Sequence, residues 1–166
     1  RLARMGEKAL DIDLEDSTLT VKVENKDAGE LLNEELTLPF SLNFMLETQE
    51  ETETNVEGFG NFKPTGVTDE HISWLEPQEE PAFPGKGRIL VGLTEEGREI
   101  MKEVFMKNKG KLMGLFVRGQ LAALLSIEKE ELEDIIVISQ LPTVELAHVF
   151  ADDVNVGIYV TFEPVD

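Results

Sequence analysis

The apolar positions of the chain change period several times, and each change marks an element. Residues 8–16, KALDIDLED, alternate Leu10, Ile12 and Leu14 with Asp11, Asp13 and Glu15. A period of two predicts a strand with one face buried and one wet. Ser17-Thr18 is expected to turn the chain into a second alternating strand carrying Leu19, Val21 and Val23, and AGELLNEEL (28–36) reads as one short helix. The clearest alternation runs from Pro39 to Gln49, with Phe40, Leu42, Phe44 and Leu46 opposite Ser41, Asn43, Met45 and Glu47.

The stretch from Gly87 to Ile127 carries the strongest local signals. Arg88 to Leu93 is a short apolar run, the signature of a buried strand. Thr94 is placed to cap a helix whose first turn holds Glu95 and Glu96, where the helix dipole favours negative charge. Gly97, Ile100, Met101, Val104 and Phe105 form one apolar face, and Gly110 is placed to end the helix. Leu112 to Val117 and Leu121 to Ile127 then read as a hairpin about Arg118-Gly119-Gln120. A membrane span is the competing reading of 112–127. It fails because a span needs about 18 or more apolar residues with few charges, whereas Arg118 and Gln120 sit at the centre of this run.

Beyond the hairpin, EKEELED (128–134) is a charged connection and Ile135 to Ser139 an apolar strand. A helix over 142–152 follows, with Pro142 in its first turn and Val144, Ala147, His148 and Phe150 as its inner side; Val156, Ile158, Val160 and Phe162 have strand spacing. TQEETETNVE (48–57) has no period and reads as an exposed loop. Residues 58–87 are rich in Gly and Pro and carry Phe59, Phe62, Trp74 and Phe83 outside any strong periodic element, with Thr68 capping a single turn through Ile72. The predicted fold class is α+β: a mostly antiparallel sheet with two main helices packed on one face, including ferredoxin-like elements.

Composition narrows the function. The 166 residues include 41% hydrophobic ones, enough for a proper core, and carry a net charge of −19. That charge repels phosphates and argues against nucleic acid and against contact with an anionic membrane surface. With no cysteine, thiolate metal sites, disulfides and cysteine nucleophiles are excluded. The two histidines, His71 and His148, are far apart in sequence, and a structural or surface role is expected for His148. DIDLED (11–16) resembles the start of a calcium loop, but the demanding sixth and twelfth positions would be Asp16 and Lys22 instead of Gly and Glu. Gly58-Phe59-Gly60 is a lone GxG without the strand–turn–helix context that a phosphate loop requires. No catalytic centre, metal or cofactor is expected. The opening RLARMGE reads as the end of a helix, which suggests a fragment of a longer protein.

Several segments, in order, resemble the first exported domain of the SecD and SecDF protein-translocation subunits, above all its head subdomain. They are RLARMG (1–6), STLTVKVEN (17–25), AGELLNEELTLPFSLNFMLE (28–47), PTGVTDEHI (64–72) and the whole run from Arg88 to Ile127. The most specific matches are Leu93-Thr94-Glu95-Glu96-Gly97, Asn108-Lys109-Gly110-Lys111 and Arg118-Gly119-Gln120. Arg118-Gly119 stands where the family has Asp-Gly, and residues 138–147 replace a Gly-rich motif. The family's proton-conducting membrane segments have no counterpart here.

The resemblance implies a base-like β segment over 1–27, a head-like domain over 28–155 and a returning strand over 156–166, folded as one compact unit. It implies an extracytoplasmic location in a membrane-tethered parent protein, with Sec translocon components and an unfolded polypeptide as partners. Holding such a chain requires apolar surface or an exposed sheet edge. Phe59, Phe62, Trp74 and Phe83 are the polypeptide-binding candidates; the structural alternative is that they fold back as a lid over the sheet. The alternative function is a stand-alone extracytoplasmic interaction or structural module on the same scaffold, without translocation activity.

Overall fold

The computed structural model describes residues 2–163, and the chain divides into two compact units. Among the described residues, one is built from 2–39 and 161–163, the other from Phe40–Val160. The sequence reading placed the boundaries after residues 27 and 155 inside a single unit. They move because the first helix packs on the N-terminal hairpin, and because the last helix runs unbroken past residue 155.

In the first unit, β1 (Ala9–Glu15) pairs antiparallel with β2 (Thr18–Val23), placing Ile12 opposite Val21 and Leu14 opposite Leu19. Asp16 turns the chain with a φ of 53°, one residue before the expected turn. Helix α1 (Lys26–Thr37) starts at Asn25, whose side chain accepts from the Asp27 amide, and lies on β2. The alternation of β1 therefore makes a strand, but no buried face: Leu10, Ile12 and Leu14 are exposed. One helix on the second strand of a hairpin leaves the first strand uncovered.

The second unit holds two antiparallel sheets. The five-stranded sheet has the order β4-β5-β3-β8-β9, from β3 (Leu42–Thr48), β4 (Thr54–Val56), β5 (Gly60–Thr68), β8 (Leu112–Val117) and β9 (Gln120–Ser126). The three-stranded sheet has the order β10-β7-β6, from β6 (Ile72–Glu79), β7 (Gly87–Leu93) and β10 (Ile136–Leu141). The inner faces of both sheets share one core. Leu42, Phe44 and Leu46 meet Met113 and Leu115 on one side and Ile89, Val91, Ile136 and Ile138 on the other.

Two helices close this core. Helix α2 (Glu95–Lys107) begins where the Thr94 hydroxyl accepts from the Gly97 amide at 3.1 Å, and it buries Met101. Helix α3 (Val144–Tyr159) begins at Thr143, whose hydroxyl accepts from the Leu146 amide, and it buries Ala147, Ala151 and Val154. Those three recur at helical spacing, and that period overrides the strand-like spacing of Val156 and Ile158. So the returning strand expected over 156–166 is helical to Tyr159; its last three residues lie outside the described residues. Pro142 falls just before the cap instead of inside the first turn, and His148 points outward.

The Gly- and Pro-rich middle differs most from expectation. It is two strands joined by a single 3₁₀ turn, Asp69–His71, in which His71 Nδ1 accepts from the Thr68 amide. Strand formation survives the prolines because neither occupies a site where a ladder donor is needed on both sides. Pro64 lies in β5 beyond the end of the short β4, and Pro77 lies on the edge strand β6. Gly66, with a φ of 94°, takes up the irregular register between β5 and β3. Of the predicted exposed loop only 49–53 stays without a strand: Thr48 ends β3, and after residue 53 β4 pairs with β5.

Candidate functional site

The structure separates the four aromatic residues. Phe62, on β5, is 0% exposed and meets Phe116 edge to face with ring centroids 5.4 Å apart. Together with Met45 it forms a second apolar cluster on the outer face of the five-stranded sheet. Trp74, 37% exposed, lies on β6 over Gly92 of β7, where a Cβ would overlap its ring. Phe59 and Phe83, 50% and 51% exposed, sit in the turns between β4 and β5 and between β6 and β7, which belong to different sheets. Phe62 is thus a buried packing residue, while Phe59, Trp74 and Phe83 keep part of their surface exposed on two different sheets.

The edges of the two sheets are more informative. An unpaired edge is a row of free backbone donors and acceptors, and proteins commonly shorten or cover such edges. Three residues make up β4, so that edge is short. The β6 edge is covered by α3: Asn155 bonds both the amide and the carbonyl of Leu75, and the Tyr159 hydroxyl donates to the Ser73 carbonyl. Strands β9 and β10 are treated differently. Each pairs on one side only, and among the described residues no backbone hydrogen bond joins one to the other.

Both open edges face one groove of about 610 Å³. Leu124, Leu125 and Ser126 of β9 form one wall, and residues 135–137 with Ser139 and Gln140 form the other. Phe105 and Leu132 supply further apolar lining. The rim is acidic, from Glu128, Glu131 and Glu133 of the connection between the sheets. Glu133 bonds Lys129 at 2.5 Å; that hydrogen bond, and then the charge behind it, hold the Lys129 ammonium above the ordinary lysine range. The neighbouring Glu130 and Asp134 face Lys109 and Arg98. Glu128 and Glu131 have no ion-pair partner among the described residues. Sequence reasoning missed this groove, although two of its signals were present: apolar residues on both faces of 121–127, and the acidic run that follows.

Among the described residues no three His, Asp or Glu side chains are grouped to hold a metal ion. Nor is any helix among them long and apolar enough to cross a membrane. Arg118, in the β8–β9 turn, is held in place by Asp153 at 3.2 Å and lies over the Phe40 ring at 5.4 Å.

No protein-family model and no curated protein matches the chain. Solved structures do. A structure of SecDF, a membrane component that enhances protein export, is similar with a TM-score of 0.60 and 16% identity, over 95% of this chain and 80% of that one. SecDF in a super-membrane-facing form gives 0.60 and 15% identity, over 99% of this chain. SecDF of Thermus thermophilus, a translocon-associated membrane protein, gives 0.54 and 14% identity, over 89% of it. This chain spans only 25% and 24% of the length of those last two. The α+β fold of this chain is thus the one found within SecDF.

Proposed function

We propose that this chain is the extracytoplasmic part of a SecDF-like, membrane-tethered export subunit, and that it holds an emerging unfolded polypeptide rather than catalysing a reaction. The fold likeness supports the setting. The observation that carries the holding role is the groove between β9 and β10, which combines apolar walls, free backbone edges and an acidic rim. A chain of no fixed sequence offers its holder only a backbone, scattered apolar side chains and charge, and this groove has a complement for each.

Binding of this kind is weak. A promiscuous site gains little from shape complementarity, and ordering a flexible ligand costs a few kcal/mol. Fluorescence anisotropy of a labelled, permanently unfolded basic polypeptide should give a Kd in the micromolar range or looser. Absence of binding up to millimolar concentration of this chain sinks the proposal.

A further inference from the structure

Building on the polypeptide-holding role, we infer that the occupant of the groove is an extended segment, apolar side chains alternating with Lys or Arg, that adds a strand to the open edge of β10. The treatment of the edges is the first ground. α3 spends Asn155 and Tyr159 on covering β6, and β4 is short, yet β10 keeps its edge open onto the groove, regular over Ile136–Ile138 before a register shift at which Gln140 takes a φ of 62°. The regular part matches about 10 Å of extended chain.

The pattern of side chains is the second ground. Along β10, Ile136 and Ile138 turn into the core, while Val137 and Ser139 are exposed beside the groove. A strand added here would place alternate side chains on the apolar wall made by Leu124, Leu125, Phe105 and Leu132, and the others toward the rim. At that rim Glu128, Glu131 and Glu133 share the one ammonium of Lys129, which leaves the rim net negative, so the outward positions suit Lys or Arg. The same charge argues against a second copy of this chain as the occupant. Two molecules of net charge −19 would bring acidic rims together.

The test uses the full chain and a labelled peptide of about twelve residues alternating Leu or Val with Lys. Two further versions carry backbone N-methyl groups on odd or on even residues, because an added strand turns only alternate amides toward its neighbour. The unmodified peptide should bind in the micromolar range. One methylated version should bind about tenfold more weakly or worse, and the other within about twofold. Amide resonances of residues 136–139 should shift on titration. If all three peptides bind alike, or the shifts centre on β6 or on residues 120–126 of β9, strand addition to β10 is wrong while the holding role stands. If neither this peptide nor a long unfolded chain binds, the holding role itself falls. Concentration-dependent dimerisation that the peptide reverses would instead assign the edge to a second copy and overturn the inference.

Discussion

The side-chain amide of Asn155 acts as a substitute strand for Leu75. The Leu75 amide donates to Oδ1 at 2.9 Å, and Nδ2 donates to the Leu75 carbonyl at 2.8 Å. One residue of α3 thereby satisfies both free backbone groups of an edge position whose own side chain is buried. Replacing it with Ala leaves both groups to find water or go unpaired, which costs about 1–3 kcal/mol for each buried group left unsatisfied. Asn155→Ala should therefore lower stability by about 2–4 kcal/mol in urea unfolding. Asn155→Asp keeps an acceptor for the Leu75 amide but sets a negative charge against the Leu75 carbonyl, so it should be no better.

Phe62 should behave differently from Phe59 and Phe83. Phe62→Ala removes a fully buried ring from the contact with Phe116 and should cost about 3–5 kcal/mol. Phe59→Ser and Phe83→Ser, in exposed turns, should stay within about 0.5 kcal/mol of wild type. Equal losses at all three positions would contradict their placement. Chemical denaturation of each variant settles the matter.

Trp74 is the sole tryptophan, so its environment can be read directly by fluorescence. Its ring occupies the space above Gly92 that a Cβ would need. Gly92→Ala should displace the ring toward solvent and shift the emission to longer wavelength. An unchanged spectrum in a folded Gly92→Ala protein would show that the ring lies elsewhere.

Charge reversal at the groove rim should separate binding from folding. Glu128 and Glu131 are exposed and without ion-pair partners among the described residues. The double variant Glu128→Lys, Glu131→Lys should therefore unfold at nearly the wild-type denaturant midpoint. Its affinity for a basic unfolded peptide should fall severalfold, while its affinity for an acidic one rises. Since exposed charges are screened over about 10 Å at 0.1 M salt, the wild-type preference should shrink as salt is added. A preference unaffected by either change would remove the rim from the recognition surface.

What the sequence determined by itself is what neighbouring residues decide between them. The cap at Thr94, the apolar face of 95–107, the hairpin about Arg118-Gly119 and the alternation through Leu42, Phe44 and Leu46 were all legible because each is settled within one or two turns or strands of chain. The α+β class followed from their order. Tertiary structure decided the rest. Gly66 and Pro64 read as loop until β3 lies beside them and the brief reach of β4 relieves the proline of a partner. Val156 and Ile158 read as strand until Ala147, Ala151 and Val154 bury themselves against the three-stranded sheet and carry the helix through. The alternation of β1 promised a buried face, and whether anything covers that face is not a property of β1. The groove depends wholly on such placement. Its walls come from residues in separate sheets, and an edge is open or closed only according to what the fold brings beside it, which for β6 is Asn155, eighty residues away from Leu75.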